Sequence, residues 1–322
     1  MASIYILGAG AMGSLWATHL HLAFKQSIQT HHPVQFLTSR ANSPKQIRFL
    51  LNSPFLLATP TTLETQLPVF DLSQLPTATI HKPNIILICT KSYHALEACL
   101  ALKPLLNEHN YLILFQNGLG SQHNIIDALP DTPIFAAVST EGVNRQDDGT
   151  FIHAGKGLTR IGPLNDKARD NKTFEFCVEA LTHQGLDIEA TENILQALWE
   201  KLAINCAINP FTALLNCPNG EIKDSALFKE NWPSLKVELT DMLNAADIEI
   251  TEDELEQRVF KVIESTQSNI SSMLQDMRAK RKTEIEDING FAAGYLKRNG
   301  LEHNANNFLT KNIKHKEYIA SQ

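Results

Sequence analysis

Short apolar runs alternate with helix-period segments through the first half of the chain. Ile4–Leu7, Val34–Leu37, Ile85–Cys89, Tyr111–Phe115 and Ile134–Val138 are rich in branched and aromatic side chains and are predicted strands. Between them, Met12–Ala23, Ala95–Leu106 and Gln122–Leu129 repeat their apolar positions at helical spacing. Strand and helix in strict alternation predict a parallel sheet covered by helices. Two more strands (Thr150–His153, Leu158–Ile161), a helix (Thr173–His183) and a short run at Leu186–Glu189 are predicted to complete the sheet region.

From Glu192 onward the period is helical. Long amphipathic stretches cover Ile194–Asn209, Leu235–Ala246, Glu252–Lys280 and Thr283–Asn299, and Gly300 stands where a helix C-cap glycine would. The fold class that follows is α/β: an N-terminal Rossmann-type, doubly wound sheet over residues 1–190, then an all-α C-terminal domain over residues 191–322. The segment Asn42–Lys82 is rich in Pro, Thr and Ser without a clear period, and is expected to form irregular strands and loops. No internal repeat or low-complexity tract is visible.

Composition narrows the function. A chain of 322 residues exceeds the usual single core, which agrees with two domains. With 35 acidic against 28 basic side chains the surface should repel polyanions, so no nucleic-acid partner is expected. The five cysteines are an odd number without a C-x-x-C pair, and read as reduced thiols in the cytoplasm. A basic n-region with a long apolar h-region is lacking, so no signal peptide is expected, and no run approaches the roughly 18 apolar residues that span a bilayer. The twelve histidines, His31-His32 included, show no metal-ligand pattern, and neither HExxH nor GxSxG occurs. No metal is expected.

Gly8-Ala9-Gly10-Ala11-Met12-Gly13 lies between the first predicted strand and the first predicted helix, the context in which this glycine pattern binds a dinucleotide. Gly8 permits the turn, Gly10 lets the backbone approach a pyrophosphate, and Gly13 lets helix and strand pack closely. The alternative is a glycine-rich turn of some other α/β sheet. The end of the second strand bears on the cofactor, because NAD calls there for an acid. Val34-Gln35-Phe36-Leu37-Thr38-Ser39-Arg40 has none, but offers two hydroxyls and a guanidinium suited to the 2′-phosphate of NADP(H), unless Arg40 is a solvated loop residue. Lys91 and Asn117 follow two further strands at the edge where ligands of open α/β sheets bind, although Asn117-Gly118 is also a plain turn signal.

In the helical half, Lys201, Asn205 and Asn209 are spaced i, i+4, i+8 and form a polar row among Leu202, Ile204, Ala207 and Ile208. One ammonium and two amides in that setting read either as a lined pocket or as a solvated stripe. Reduction of a ketone needs a proton for the oxygen as hydride reaches the carbon, and Lys201 is the candidate acid. Asn269 and Ser272, at i, i+3, are expected to share a helix face as neutral donors for a carboxylate or hydroxyl, or to form an exposed polar edge. Thr283-Glu284-Ile285-Glu286 matches a capping box, which puts Glu284 in the first turn of a new helix. There it orients a lysine or a ribose, or merely complements the helix dipole.

These residues together resemble a ketopantoate reductase (2-dehydropantoate 2-reductase). The resemblance runs from Ile4 to about Tyr318 and is densest in Leu198–Glu221, with Lys201-Leu202-Ala203-Ile204-Asn205-Cys206 leading to Asn209-Pro210 and Asn216-Cys217-Pro218-Asn219-Gly220-Glu221, and again in Asn269–Phe291. It implies NADPH-dependent reduction of ketopantoate to (R)-pantoate on the route to pantothenate, with the nicotinamide in a cleft between the domains. It also implies Lys201 as proton donor, substrate contacts at Asn205, Asn209, Asn216 and Ser272, and an acid near the cofactor at Glu284. The cofactor contacts fall on Gly8 to Gly13, Arg40, Lys91 and Asn117, with a backbone contact near Val143. A related reductase of another branched 2-oxo acid, or a non-catalytic NADP-sensing protein, are the alternatives. A homodimer stays open, since the sequence does not set the oligomeric state.

Overall fold

The computed structural model describes residues 3–26, 34–39, 43–56, 61–72, 83–182, 185–301 and 303–321. They fall into two compact units, Met1–Gln116 with Ser121–Leu195, and Asn117–Gly120 with Gln196–Gln322. None of the helices in the described residues is long and apolar enough to cross a membrane.

The first unit is built on strands β1 (Ser3–Leu7), β2 (Val34–Thr38), β3 (Gln46–Ser53), β4 (Thr61–Asp71), β5 (Asn84–Ile88), β6 (Asn110–Leu114), β7 (Ile134–Ser139), β8 (Gly142–Arg145), β9 (Phe151–Gly155), β10 (Leu158–Pro163) and β11 (Asp187–Ala190). Their order in the sheet is β11-β10-β7-β6-β5-β1-β2-β4-β3-β9-β8. The centre, β7 to β2, is parallel, as the alternation of strand and helix predicts. Successive strand residues point to opposite faces, so each central strand feeds two cores. Ile4, Ile6, Ile85, Leu87, Ile113 and Phe135 pack with Leu15, Trp16 and Leu20 of α1 (Ala11–Gln26) and with Cys177 and Leu181 of α4 (Asn171–Thr182). Tyr5, Leu7, Ile86, Ile88, Leu112 and Leu114 pack with Ala95, Cys99 and Leu102 of α2 (Ser92–Leu102) and Ile125 of α3 (Ser121–Ala128). Burial on both faces explains the continuous apolar runs.

The segment expected to be irregular is instead a regular antiparallel pair, β3 with β4, over Gln46–Ser53 and Thr61–Asp71. Ile47 faces Leu67, Phe49 faces Thr65 and Leu51 faces Leu63 across it, while Thr, Gln and Glu occupy the outward positions. The period of two was hidden by the polar residues that a one-sided strand requires. A buried polar chain ties this pair to the β8–β9 hairpin. Ser53 Oγ lies 2.9 Å from His153 Nδ1, and His153 Nε2 lies 2.7 Å from a Glu141 carboxylate oxygen.

The second unit holds α5 (Ile194–Leu215), α6 (Ala226–Asn244), α7 (Glu252–Ser265), α8 (Ser272–Arg278), α9 (Phe291–Arg298) and α10 (Ala305–Ser321). Gly300 ends α9 at φ +75°, with Leu301 N–H on the Leu296 carbonyl, so the expected C-cap forms. Two expectations fail. The single helix over Glu252–Lys280 is two: Thr266 turns its hydroxyl back onto the Val262 carbonyl at 2.6 Å, and Ser271 caps α8 by accepting the Leu274 N–H. The gap between them docks onto Asn219 and Gly220, whose N–H groups donate to the Asn269 and Gln267 carbonyls at 3.0 Å each. The capping box at Thr283 does not form either. Thr283 N–H donates to Glu317 at 2.6 Å, and Glu286 pairs with Lys282 and Lys314. A box of that kind closes at Thr251 and Glu254 instead, at the start of α7.

Candidate active site

The glycine loop joins β1 to α1, and its three glycines are required for different reasons. Gly8 has φ +116°, and a Cβ there would lie 2.6 Å from the Cys89 carbonyl carbon. A Cβ on Gly13 would lie 2.0 Å from the Gly8 carbonyl oxygen. Both are glycine because the chain itself presses on them. Gly10 meets nothing within 4 Å and is exposed. Its carbonyl accepts the Ser14 N–H at 2.9 Å, which leaves the N–H groups of Ala11, Met12 and Gly13 at the helix end without intrahelical acceptors. An open cradle in front of unpaired donors at a positive helix end fits a pyrophosphate.

Further polar groups stand at the neighbouring strand ends. Thr90 Oγ1 and Gln116 Oε1 are buried without a hydrogen-bond partner, although Gln116 Nε2 donates to the Ile88 and Thr90 carbonyls at 2.8 and 3.0 Å. Sequence reasoning passed over both, because each sits beside a more conspicuous residue, Lys91 or Asn117. Lys91 is the N-cap residue of α2, partly buried, at φ −60° and ψ 149°. Val143 lies in β8 at the end of the sheet order, opposite His153 and beside a register shift at Gly142. At the end of β2, Thr38 Oγ1 is 3.0 Å from Ser43 Oγ and Ser39 is exposed, whereas Arg40 lies outside the described residues. The strand register adds an acid there that the sequence of β2 lacks: Thr38 is paired with Asp71 at the end of β4.

Asn117 belongs to the second unit. Gly118 and Gly120 follow it at φ +82° and +110°, and Cβ atoms on them would lie 2.2 Å from the Asp287 carbonyl oxygen and 3.0 Å from the Phe291 ring. The Asn117–Gly120 turn thus packs on the segment that follows Glu284.

Helix α5 packs most of its circumference into the core through Leu198, Leu202, Ala203, Cys206, Ile208 and Phe211, and its exposed positions, Leu195 and Gln196, lie in the first turn, so the polar row is not a fully solvated stripe. Lys201 and Asn205 are partly buried and Asn209 is buried. Burial lowers the Lys201 ammonium and the Glu284 carboxylate partly offsets it, which leaves it at about 8. Pro210 sits inside this helix and has no N–H for the Cys206 carbonyl. Asn289 supplies the missing donor, Nδ2 to Cys206 O at 3.2 Å, and also donates to Asn306 at 2.9 Å. Asn289 lies in a π-helical turn, Glu286–Gly290, immediately after Glu284. A side chain that replaces a lost helix bond therefore anchors the segment carrying the carboxylate.

The other end of the row is tied to α8. Thr212 Oγ1 donates to the Asn209 carbonyl at 2.8 Å and lies 2.6 Å from Ser271 Oγ, which places Ser272, the first residue of α8, beside this part of α5. Asn269 precedes the helix and does not share a face with Ser272; its carbonyl is engaged by Asn219. Asn216 is not brought to Lys201. It stands past the end of α5, roughly 22 Å further along the axis at 1.5 Å per residue. There it is exposed, has φ 55°, and accepts from Arg278 Nε at 2.9 Å.

A family model described as ketopantoate reductase PanE/ApbA matches residues 4–166, and its C-terminal counterpart matches residues 193–317. The 2-dehydropantoate 2-reductase of Vibrio cholerae is 31% identical over 312 residues, 97% of this chain and 97% of that protein. The chain belongs to the ketopantoate reductase family. Among solved structures, a PanE/ApbA family ketopantoate reductase from Ralstonia eutropha aligns with TM-score 0.79 and 22% identity over 99% of this chain and all of that one. A D-mandelate dehydrogenase, solved with NADH and anilino(oxo)acetate, aligns with TM-score 0.82 and 20% identity over 99% of this chain and 100% of that chain. The ketopantoate reductase fold thus accounts for both halves of the chain: a doubly wound sheet with the glycine loop, and a helical unit with the Lys201 row.

Proposed function

We propose that this protein is a cytoplasmic oxidoreductase that reduces 2-dehydropantoate to (R)-pantoate with NADPH, in pantothenate formation. The observation that carries the reading is Lys201, a desolvated ammonium beside Glu284 on a core helix, at about 8. Such a group is mostly protonated at neutral pH yet gives up its proton easily, the balance a general acid needs. Family membership and the 31% identity to a protein of that name support the substrate.

NADPH, bound along the glycine loop, supplies the hydride. Ala11, Met12 and Gly13 hold the pyrophosphate with backbone N–H groups, Thr38, Ser39 and Arg40 stand at the adenosine ribose, and Lys91, Asn117 and Val143 are the remaining cofactor contacts. Lys201 holds the 2-oxo oxygen and donates the proton to it. Asn205, Asn209 and Ser272 orient the acid as neutral donors, and Glu284 keeps the Lys201 ammonium charged and in place. Asn216 and Asn269, engaged elsewhere, are left out of this set.

The test is consumption of NADPH and NADH with ketopantoate and a panel of other branched 2-oxo acids, on wild type and Lys201→Ala. NADPH oxidation with ketopantoate, cut by about 10² in the variant, is the expected result. Faster turnover of another acid moves the substrate assignment, and no oxidation with any of them leaves a nucleotide-sensing protein.

A further inference from the structure

A cavity of about 310 Å³ opens in the first unit directly beside Ala9 of the glycine loop. Its floor is apolar, with Ile47, Phe49 and Phe151, and its polar lining includes two guanidinium groups, Arg48 and Arg145. They differ in availability. Arg48 is paired with Glu64 across the β3–β4 ladder, and Asp148, the carboxylate in the same cavity, accepts the Thr150 N–H at 2.8 Å. Arg145 has no ion-pair partner among the described residues.

The hairpin that carries Arg145 is rigid at its tip. Gln146 N–H donates to the Thr150 carbonyl at 2.8 Å, Gly149 N–H donates to the Gln146 carbonyl at 3.0 Å, and Gly149 takes φ +87° to close the turn. The guanidinium lies over the Phe151 ring, 5.8 Å from its centroid, a cation–π contact that favours this position of the charge. A preorganised cation thus shares one cavity with the loop whose backbone donors already suit a phosphate.

We propose that this cavity is a second phosphate-binding subsite for the dinucleotide, with the Arg145 guanidinium as its anion-binding group. The proposal rests on the dinucleotide reading above and adds to it a side-chain charge where the loop offers only backbone dipoles. A planar fork clamps a phosphate through two parallel N–H bonds, which a backbone cradle alone cannot do. The phosphate is either the pyrophosphate that faces Ala9 or the adenosine 2′-phosphate.

Equilibrium titration of NADPH and NADH, read by nucleotide fluorescence on wild type, Arg145→Ala and Arg145→Lys, decides it. Loss of one charge-assisted contact predicts an affinity about tenfold or more weaker in Arg145→Ala, with Arg145→Lys between the two. An equal loss for both nucleotides assigns the pyrophosphate, and a loss confined to NADPH assigns the 2′-phosphate. Wild-type affinities in Arg145→Ala overturn the subsite while leaving the dinucleotide reading intact, whereas a wild-type protein that binds neither nucleotide overturns both. Arg145 is exposed and meets the core only through the Phe151 ring, so a melting temperature within a few degrees of wild type accompanies the expected result.

Discussion

Glu284 opposes the burial of Lys201: desolvation, the larger influence, lowers the lysine, the carboxylate raises it, and the balance stands at about 8. Without Glu284 the ammonium would be lower still. The pair therefore sets the proton affinity of the proposed acid through burial and charge, two influences that mutation can separate.

The sign of the pH dependence follows. Reduction needs Lys201 protonated, so kcat is expected to hold below pH 8 and to fall as pH rises through about 8. Oxidation of the product alcohol needs the neutral amine and is expected to rise over the same interval. Glu284→Gln removes the negative charge that raises the lysine, so the alkaline limb should move to lower pH. Profiles of kcat against pH for wild type and this variant check it, and a limb that stays in place or moves upward would exclude Lys201 as the titrating acid.

The glycine loop makes a prediction in which stability and binding part company. Gly8→Ala and Gly13→Ala push a Cβ into backbone at 2.6 and 2.0 Å, and the first also forces φ +116° on an alanine. Both are expected to lose several kcal/mol of stability by overpacking and strain. Gly10→Ala meets nothing in the chain and should unfold within about 1 kcal/mol of wild type, yet bind NADPH at least tenfold more weakly because its methyl occupies the cradle. Urea denaturation with nucleotide titration separates the cases, and unaltered binding by Gly10→Ala would put the pyrophosphate elsewhere.

Much of this arrangement was legible in the sequence, and the misses share a cause. The central strands and the Gly8–Gly13 loop depend on neighbours close in sequence or on apolar runs that only a doubly covered sheet needs. The β3–β4 ladder was missed because its outward half is polar, and the break before Ser271 because Thr266 and Ser271 become caps only when Asn219 and Gly220 dock between them. Asp71 beside Thr38, and Asn289 beneath Cys206, are separated by 33 and 83 residues in the chain and become neighbours only through strand register and helix packing. The Lys201 row was visible through its spacing, but what separates it from a solvated stripe is its burial, with Asn209 inside the core and Lys201 and Asn205 half-buried.

Asn289 tests whether the π-helical turn is an anchor. Asn289→Ala leaves the Cys206 carbonyl, already deprived of a donor by Pro210, and the Asn306 amide oxygen with one partner fewer each in a buried site. A cost of about 2 to 4 kcal/mol follows from two unsatisfied buried acceptors. Because the turn continues from Glu284, the same variant is expected to lower kcat and to shift the alkaline limb of its pH profile, while Asn289→Asp, which has the shape but not the donor, should not rescue either. Equal stability losses with an unshifted profile would reduce Asn289 to a packing residue.

Asp71 bears on cofactor choice. An acid at the end of the second strand accepts from the ribose hydroxyls of NAD and repels a 2′-phosphate, and here that acid arrives from the adjacent strand, paired in register with Thr38. The proposed preference for NADPH requires that the Thr38 and Ser39 hydroxyls and Arg40, which lies outside the described residues, outweigh one neighbouring carboxylate. Replacing that carboxylate by an amide removes the repulsion and the acceptor together. Asp71→Asn is therefore expected to raise the ratio of kcat/KM for NADPH over NADH by about tenfold, one charge interaction near a surface being worth roughly 1 kcal/mol or somewhat more. Arg40→Ala should move the ratio the opposite way, so the two variants measured against both nucleotides weigh the guanidinium directly against the acid. A ratio that Asp71→Asn leaves unchanged would mean that Asp71 points away from the ribose, and one that falls would mean the 2′-phosphate is bound at another strand end.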